Sequence, residues 1–144
     1  MGGTFGYELD LNKLTEEEIA EVKEQVSFMK EYREIFQYGT FYRLQSPFEN
    51  NVMAWMSVSA DRKTAIVGWY RTLNRVNYRF ERVKLAGLLP DVLYENRRSG
   101  VRCYGDELMN YGLITTDGTA GEPIAENGLT VDFESRIYVL KAVE

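Results

Sequence analysis

The chain of 144 residues is 44% hydrophobic and 27% charged, and its formal net charge is −5. These values predict one ordinary globular domain with a core of its own. The acidic balance argues against a nucleic-acid partner, so the pair Arg97 and Arg98 is interpreted as a solvated strand end. No apolar run approaches the roughly 20 residues of a membrane helix, and the first residues lack a signal-peptide pattern. We therefore expect no membrane contact and a cytoplasmic location.

The residue types that are missing restrict the chemistry most. The sequence contains no histidine and one cysteine, Cys103. Without histidine there is no Ser-His or Cys-His nucleophile, and the usual zinc ligands are absent too. We therefore expect no metal, no cofactor and no internal disulfide, and we expect a reducing compartment. Any catalysis would have to rest on Asp and Glu, as in glycoside hydrolysis.

Residues 3–11, GTFGYELDL, alternate as a β-strand does. The predicted apolar face of this strand consists of Phe5, Tyr7, Leu9 and Leu11. A strand followed by a helix is half of a βα unit, and a parallel strand needs neighbours that the rest of the chain does not offer. We therefore expect the chain to be part of something larger.

Residues 15–37 predict one long helix. Thr15 is suited to be its N-cap, Glu18 completes a capping box, and Gly39 can end it. An apolar stripe follows the helical period: Ile19, Val22, Val26, Met29 and Phe36. Four acids crowd the first turns: Glu16, Glu17, Glu18 and Glu21. They could be imagined as a cation site, but the helix dipole favours acids at this end, and we interpret them as a solvated helix start.

After Gly39 the pattern changes from helical to alternating, which predicts β-strands. We predict strands at residues 41–46, 52–60, 64–72, 81–87, 91–97 and 131–143. Because the connections are short and polar and no helix intervenes, these strands predict an antiparallel β-sandwich.

The aromatic residues allow two interpretations. Trp55, Trp69 and the ten tyrosines could form a platform on which sugar rings stack, which would make the chain a carbohydrate-binding β-sandwich module. The alternative is that aromatic strands fill a sandwich core. On the second predicted strand, the core face consists of Val52, Ala54, Met56 and Val58. Met53 and Trp55 then lie on the outer face, where we expect them to contact the helix or another domain.

Asp106 and Glu107 in the stretch YGDELMNYGL are the candidate acid pair. Retaining glycosidases need two carboxyls about 5 Å apart that both face the sugar. Neighbouring residues of a strand point to opposite faces. We therefore predict a turn in which one of these acids accepts backbone N–H bonds, with three side chains plugging the core: Leu108, Met109 and Leu113.

Several motifs occur in a fixed order along nearly the whole chain: GTFGYELDL, AWMSVSADRKTAIVGWYR, LAGLLPDVLYE, YGDELMNYGL and DFESRIYVLK. In these motifs the chain resembles the C-terminal part of glycoside hydrolase family 36, the bacterial α-galactosidases. The resemblance implies a mainly β fold, with an antiparallel C-terminal β-sandwich at residues 39–144. It also implies that residues 1–38 are the last strand and last helix of a catalytic (β/α)₈ barrel.

The same resemblance implies that the parent enzyme is a retaining α-galactosidase that hydrolyses terminal α-galactosyl groups of oligosaccharides. Its aspartate nucleophile lies in a K-W-D context, and a second barrel aspartate is the acid/base. Neither context occurs in this chain, so we expect both catalytic positions upstream of Met1 and no catalytic residue here. The 144 residues alone are expected to be inactive, to pack against the catalytic barrel and to belong to a homo-oligomer.

Overall fold

The structure, a computed structural model, describes residues 5–73, 81–115 and 132–143. A short 3₁₀ turn spans Leu11–Lys13, and the helices are α1 Glu16–Glu31, α2 Arg33–Tyr38 and α3 Gly105–Asn110. The strands are β1 Thr40–Gln45, β2 Val52–Val58, β3 Thr64–Arg71, β4 Arg82–Val83, β5 Leu93–Asn96, β6 Arg102–Tyr104, β7 Leu113–Ile114 and β8 Glu134–Ala142.

The strands form a six-stranded sheet in the order β1-β2-β3-β8-β5-β6, with a two-stranded sheet of β4 and β7 beside it. Every pair of neighbouring strands is antiparallel. The last strand is inserted in the middle of the large sheet, where it pairs with β3 and β5. The prediction of a mainly antiparallel β fold preceded by a long helical segment is thus confirmed.

The core lies on one face of the large sheet, which we call the inner face. It contains the predicted residues of β2, Val52, Ala54, Met56 and Val58, together with Trp69 of β3. Met56 and Trp69 have no exposed surface, and burying a side chain of this size stabilises the fold by about 1.5–3 kcal/mol. Trp69 is therefore a core residue and not part of an exposed aromatic platform.

The start of α1 has the predicted capping box. The Thr15 hydroxyl accepts the Glu18 N–H at 3.2 Å, and the Glu18 carboxylate accepts the Thr15 N–H at 2.8 Å. The N–H and the hydroxyl of Thr15 both donate to this carboxylate, which lowers the pKa of Glu18. One of the four clustered acids thus satisfies a backbone donor at the end of the helix.

The single helix predicted at residues 15–37 is divided into two. Tyr32 has φ −104° and ψ 13°, outside the helical region, so α1 ends before it and α2 begins after it. The break turns the chain so that Tyr32, which is 7% exposed, packs against the large sheet. Tertiary packing has overridden the local helical preference at this residue.

Residues 5–10 do not form the strand predicted at 3–11, whose first two residues lie outside the described ranges. The segment makes no ladder with another strand among the described residues. Asp10 accepts the Asn12 N–H at 3.1 Å and caps the 3₁₀ turn. Phe5, Tyr7 and Leu9 are 43%, 39% and 48% exposed. A strand needs a neighbouring strand to satisfy its backbone groups, and this segment has none in the described parts of the chain.

Two strand predictions change most in extent. The strand predicted at 81–87 is only the two residues of β4, and the one predicted at 131–143 is Glu134–Ala142, residue 131 lying outside the described ranges. Two short strands, β6 and β7, were not predicted. They are too short to show an alternation of their own.

Gly39 lies at the corner between α2 and β1, where there is no space for a Cβ atom. A Cβ there would lie 2.4 Å from the Ile35 carbonyl oxygen and 2.7 Å from the Ser57 Oγ. We expect Gly39→Ala to lower the free energy of unfolding by about 1–3 kcal/mol, because the helix end must move off the sheet.

The matched control is Gly6→Ala, where a Cβ would meet nothing within 4 Å. It should change the unfolding free energy by no more than about 0.5 kcal/mol in urea denaturation. Equal effects of the two substitutions would contradict the close approach of α2 to β2.

Candidate functional site

Asp106 and Glu107 lie at the start of α3, a six-residue helix where we predicted a turn. The Tyr104 N–H donates to the Glu107 carboxylate at 2.7 Å, and the Glu107 N–H donates to the Asp106 carboxylate at 2.8 Å. The prediction that these acids accept backbone N–H bonds is therefore confirmed, although the element is a helix. Leu108 and Leu113 are in the core, and Met109 is packed against it.

A second group of charges is buried between β3 and β8. The Arg71 guanidinium donates to the Glu134 carboxylate at 2.5 Å, and Arg136 Nε donates to its other oxygen at 2.7 Å. The Arg71 side chain is 1% exposed. Both guanidinium groups flank the Trp69 ring, at 5.2 and 5.8 Å from its centroid. Sequence analysis missed this group because its members are far apart in the chain.

This buried group is an ion-pair network and not an acid–base pair. Arginine does not lose its proton in proteins, so Glu134 has no partner here that could exchange one. Burial by itself lowers the pKa of Arg136, but its hydrogen bonds with Glu134 and Tyr138 outweigh that effect and raise it. Arg136 also donates to the Thr115 carbonyl oxygen at 2.8 Å, which ties β8 to the chain after β7.

The opposite face of the large sheet, the outer face, is only partly covered by the helices. The Ser57 hydroxyl donates to the Ile35 carbonyl oxygen at 2.7 Å and fixes α2 over one end of this face. Beside it, the Trp55 indole lies so close to Gly68 that a Cβ there would be 2.4 Å from Trp55 Cε2. Phe36 and Phe41 contact the same indole, with ring centroids 6.2 and 6.0 Å away.

An open cleft of about 530 Å³ lies where the helices leave the outer face uncovered. Its lining residues come from the first segment, α1, α2 and strands β2, β3 and β8: Phe5, Glu24, Gln25, Phe28, Met29, Phe36, Trp55, Tyr70 and Ile137. Seven of the nine are apolar or aromatic, so the cleft suits protein side chains better than the hydroxyl groups of a sugar. We call it the outer-face cleft.

Sequence analysis found the outer position of Trp55 but not Tyr70 or Ile137. Both residues could have been found from the alternation of inner-face and outer-face positions on β3 and β8, because Tyr70 follows the buried Trp69 and Ile137 precedes the buried Tyr138. Phe28 and Ile35 of the helical segment also pack against the outer-face cluster, although neither belongs to the predicted apolar stripe. The helix break at Tyr32 alters which residues face the sheet.

Within the described ranges, no group of three or more His, Cys, Asp or Glu residues could hold a metal ion. None of the helices in these ranges has the length and apolar content of a membrane span. The described residues thus combine an apolar cleft with an unpaired segment that has exposed aromatic side chains. Such a surface is typical of a site that another domain or protein covers.

The comparisons with known proteins identify the family of this chain. A family model described as "Glycosyl hydrolase family 36 C-terminal domain" matches residues 52–140, and one described as "Melibiase" matches residues 1–39. The chain therefore belongs to glycosyl hydrolase family 36, and the sequence resemblance to this family is confirmed.

Among the similar curated proteins, alpha-galactosidase AgaA of Geobacillus stearothermophilus is 45% identical over 144 residues, which are 100% of this chain and 18% of AgaA. Alpha-galactosidase Mel36A of Lactobacillus acidophilus is 38% identical over 143 residues, again 18% of the relative. The chain thus spans less than a fifth of the length of these relatives.

Solved structures of α-galactosidases support the same family. The α-galactosidase AgaB from Geobacillus stearothermophilus superposes with a TM-score of 0.84 at 45% identity, covering 96% of this chain and 18% of that one. An AgaA variant in complex with raffinose superposes with a TM-score of 0.83 at 43% identity and the same coverage.

The contact between Trp55 and Gly68 can be tested by a double-mutant cycle. Gly68→Ala should lower the free energy of unfolding by about 1–3 kcal/mol, because the new Cβ displaces the indole. In a Trp55→Ala background the penalty should vanish or reverse, since alanine is preferred over glycine in a strand by about 0.5–1 kcal/mol. Chemical denaturation of the four proteins measures the coupling, and an equal penalty in both backgrounds would contradict the close packing.

Proposed function

We propose that this chain is the C-terminal region of a retaining family 36 α-galactosidase, in which it packs against the catalytic barrel and stabilises it. The parent enzyme hydrolyses terminal α-galactosyl groups of oligosaccharides. The 144 residues contribute scaffold and no catalytic residue. In this proposal residues 1–38 are the last strand and last helix of the barrel, and residues 39–144 are the C-terminal β-sandwich domain.

The outer-face cleft is the observation that carries the scaffold role. It leaves Ile137 36% exposed in the middle of β8, and beside it the unpaired segment exposes Phe5 and Tyr7. Exposed apolar groups that adjoin one another on two elements are typical of a surface that another domain covers. The covering domain is the one that precedes this segment in the chain, because the Melibiase model matches residues 1–39 and the relatives are more than five times as long.

The ligands of solved relatives support the proposed substrate class. The solved AgaA variants include complexes with 1-deoxygalactonojirimycin, raffinose and stachyose. Raffinose and stachyose carry terminal α-galactosyl groups, which supports the same substrate class for the parent of this chain.

The hydrogen bonds and ion pairs of the two candidate groups support the proposal that this chain has no catalytic residue. Asp106 and Glu107 accept backbone N–H bonds at the start of α3, and Glu134 is held between two guanidinium groups. The proposal also includes a homo-oligomeric, cytoplasmic parent enzyme that needs no cofactor and contacts neither nucleic acid nor membrane. The acidic composition supports the lack of nucleic-acid contact, and the free Cys103 supports a reducing compartment.

Hydrolysis of p-nitrophenyl α-galactoside tests the proposed activity. The 144-residue chain alone should release no nitrophenol above the buffer rate, whereas the parent enzyme should release it. Asp106→Ala in the parent enzyme should leave the rate unchanged, since this carboxylate only holds α3. Turnover by the chain alone that Asp106→Ala abolishes would overturn the proposal. Saturable binding of raffinose to the chain alone that Trp55→Ala abolishes would support the carbohydrate-binding module instead.

Ile137→Asp tests the scaffold role. In the chain alone the cost should be about 1 kcal/mol or less, the range of strand-propensity effects at an exposed position. In the parent enzyme the same carboxylate would be buried without a partner, and we expect a loss of about 3 kcal/mol or more. Thermal denaturation of both proteins, with Ile137→Val as the control, measures the difference. Equal losses in the two contexts would exclude coverage of this face by the barrel.

A further inference from the structure

The two halves of the helical segment differ in their contacts with the sheet. Tyr32 forms a buried cluster with Ile66 of β3 and Val139 of β8, on the outer face of the sheet. Around it pack the remaining contact residues, Phe28, Ile35, Phe36 and Trp55. The helical segment from Phe28 onward is therefore a layer of the C-terminal sheet.

The half before Phe28 makes no such contacts with the described strands. Ile19, Val22 and Val26 are half-buried, but none of them belongs to either hydrophobic cluster of the described residues. On this half, Gln25 accepts a hydrogen bond from the Tyr7 hydroxyl, and Phe5 lines the cleft beside it. One helical segment thus has an occupied apolar face after Phe28 and an incompletely occupied one before it.

Tyr32 is the residue at which the helix changes direction. Its ring centroid lies 4.9 Å from that of Phe28, and Lys141 Nζ lies 5.2 Å from the same ring centroid. Lys141 also pairs with Glu31 at 3.3 Å. The break in the helix is therefore held by contacts with β8 and not by the preference of the local sequence.

The connection between this layer and the sheet is short and tightly packed. Gly39 has no room for a Cβ between Ile35 and β2, and the Ser57 hydroxyl bonds the Ile35 carbonyl oxygen at 2.7 Å. A flexible linker between domains is usually exposed and makes few contacts. The chain between α2 and β1 is the opposite of such a linker.

We propose that the α1–α2 segment is a brace shared by two domains, with residues 28–38 permanently part of the C-terminal folding unit and the half before Phe28 docked on the catalytic domain. The proposal rests on the proposed function for the identity of the second domain. It places the packing boundary about ten residues before the point where the Melibiase match ends, at residue 39. The C-terminal domain thereby fixes the position of the last barrel helix, with Tyr32 as the joint.

Amide hydrogen exchange on the 144-residue chain tests this division. The amides of Tyr32, Phe36 and Gly39, which donate within the helical segment, should exchange as slowly as those in the centres of β2 and β3. The amides of residues 20–27 should exchange at least about 100-fold faster, as expected of a helix half that does not belong to the cooperative core. A common rate for residues 20–27 and 32–39 would overturn the proposal.

Substitution of Tyr32, the residue at which the helical segment is interrupted, gives the second readout. Tyr32→Ala should accelerate exchange in α2 at least about tenfold more than in β3, because it detaches the layer without removing the sheet. Tyr38→Ala is the control on the same helix, since Tyr38 is 82% exposed, and it should change neither. If Tyr32→Ala does not fold, Ile35→Ala carries the same expectation. Equal acceleration in α2 and β3 would contradict a separate layer.

These measurements use the chain alone and no galactoside. Their failure would leave the α-galactosidase assignment untouched, and an unexpected result in the hydrolysis assay would leave the division of the helix untouched.

Discussion

The antiparallel pairing of β8 with β3 is the interaction on which the rest of the structure depends. Eight residue pairs join these strands, from Thr64 with Lys141 to Arg71 with Glu134. Strand β8 also pairs with β5 and so connects the two halves of the large sheet. Because β3 and β5 precede β8 by many residues in the sequence, the large sheet is complete only when β8 has paired with both. Such long-range pairing is expected to make folding slow.

Each face of this central pair has a separate role. On the inner face, Trp69 and Tyr138 fill the core, and Arg71 and Glu134 place an ion pair at its edge. On the outer face, alternate residues of the same strands receive the helical layer and line the outer-face cleft. The period of two in a strand thus separates the surface of the main core from the surface that carries the helical layer and that, in the proposed function, the catalytic domain covers.

The groups that suggest chemistry in this chain are engaged in holding backbone or neighbouring charges. The acid pair at the start of α3 accepts N–H bonds from Tyr104 and Glu107, and Glu134 neutralises buried guanidinium groups. Family membership agrees with this, because the chain corresponds to 18% of α-galactosidases whose C-terminal domain it matches. In the proposed function, the contribution of this domain to catalysis is indirect, through the stability and position of the barrel elements that it would contact.

Local patterns determined what depends on local physics. The capping box of Thr15 and Glu18, the core face of β2 and the outer position of Trp55 follow from spacing within a few residues, and the structure has all three. The position of β8 in the sheet, the helix break at Tyr32 and the pairing of Arg71 with Glu134 were decided only by tertiary structure. Each brings together residues more than 60 positions apart, as Tyr32 with Val139 or Arg71 with Glu134. The energy of such contacts has no counterpart in the periodicity of either segment, which explains why the sequence predicted the longer strands of the sheet and the faces of β2 but not the order of the strands.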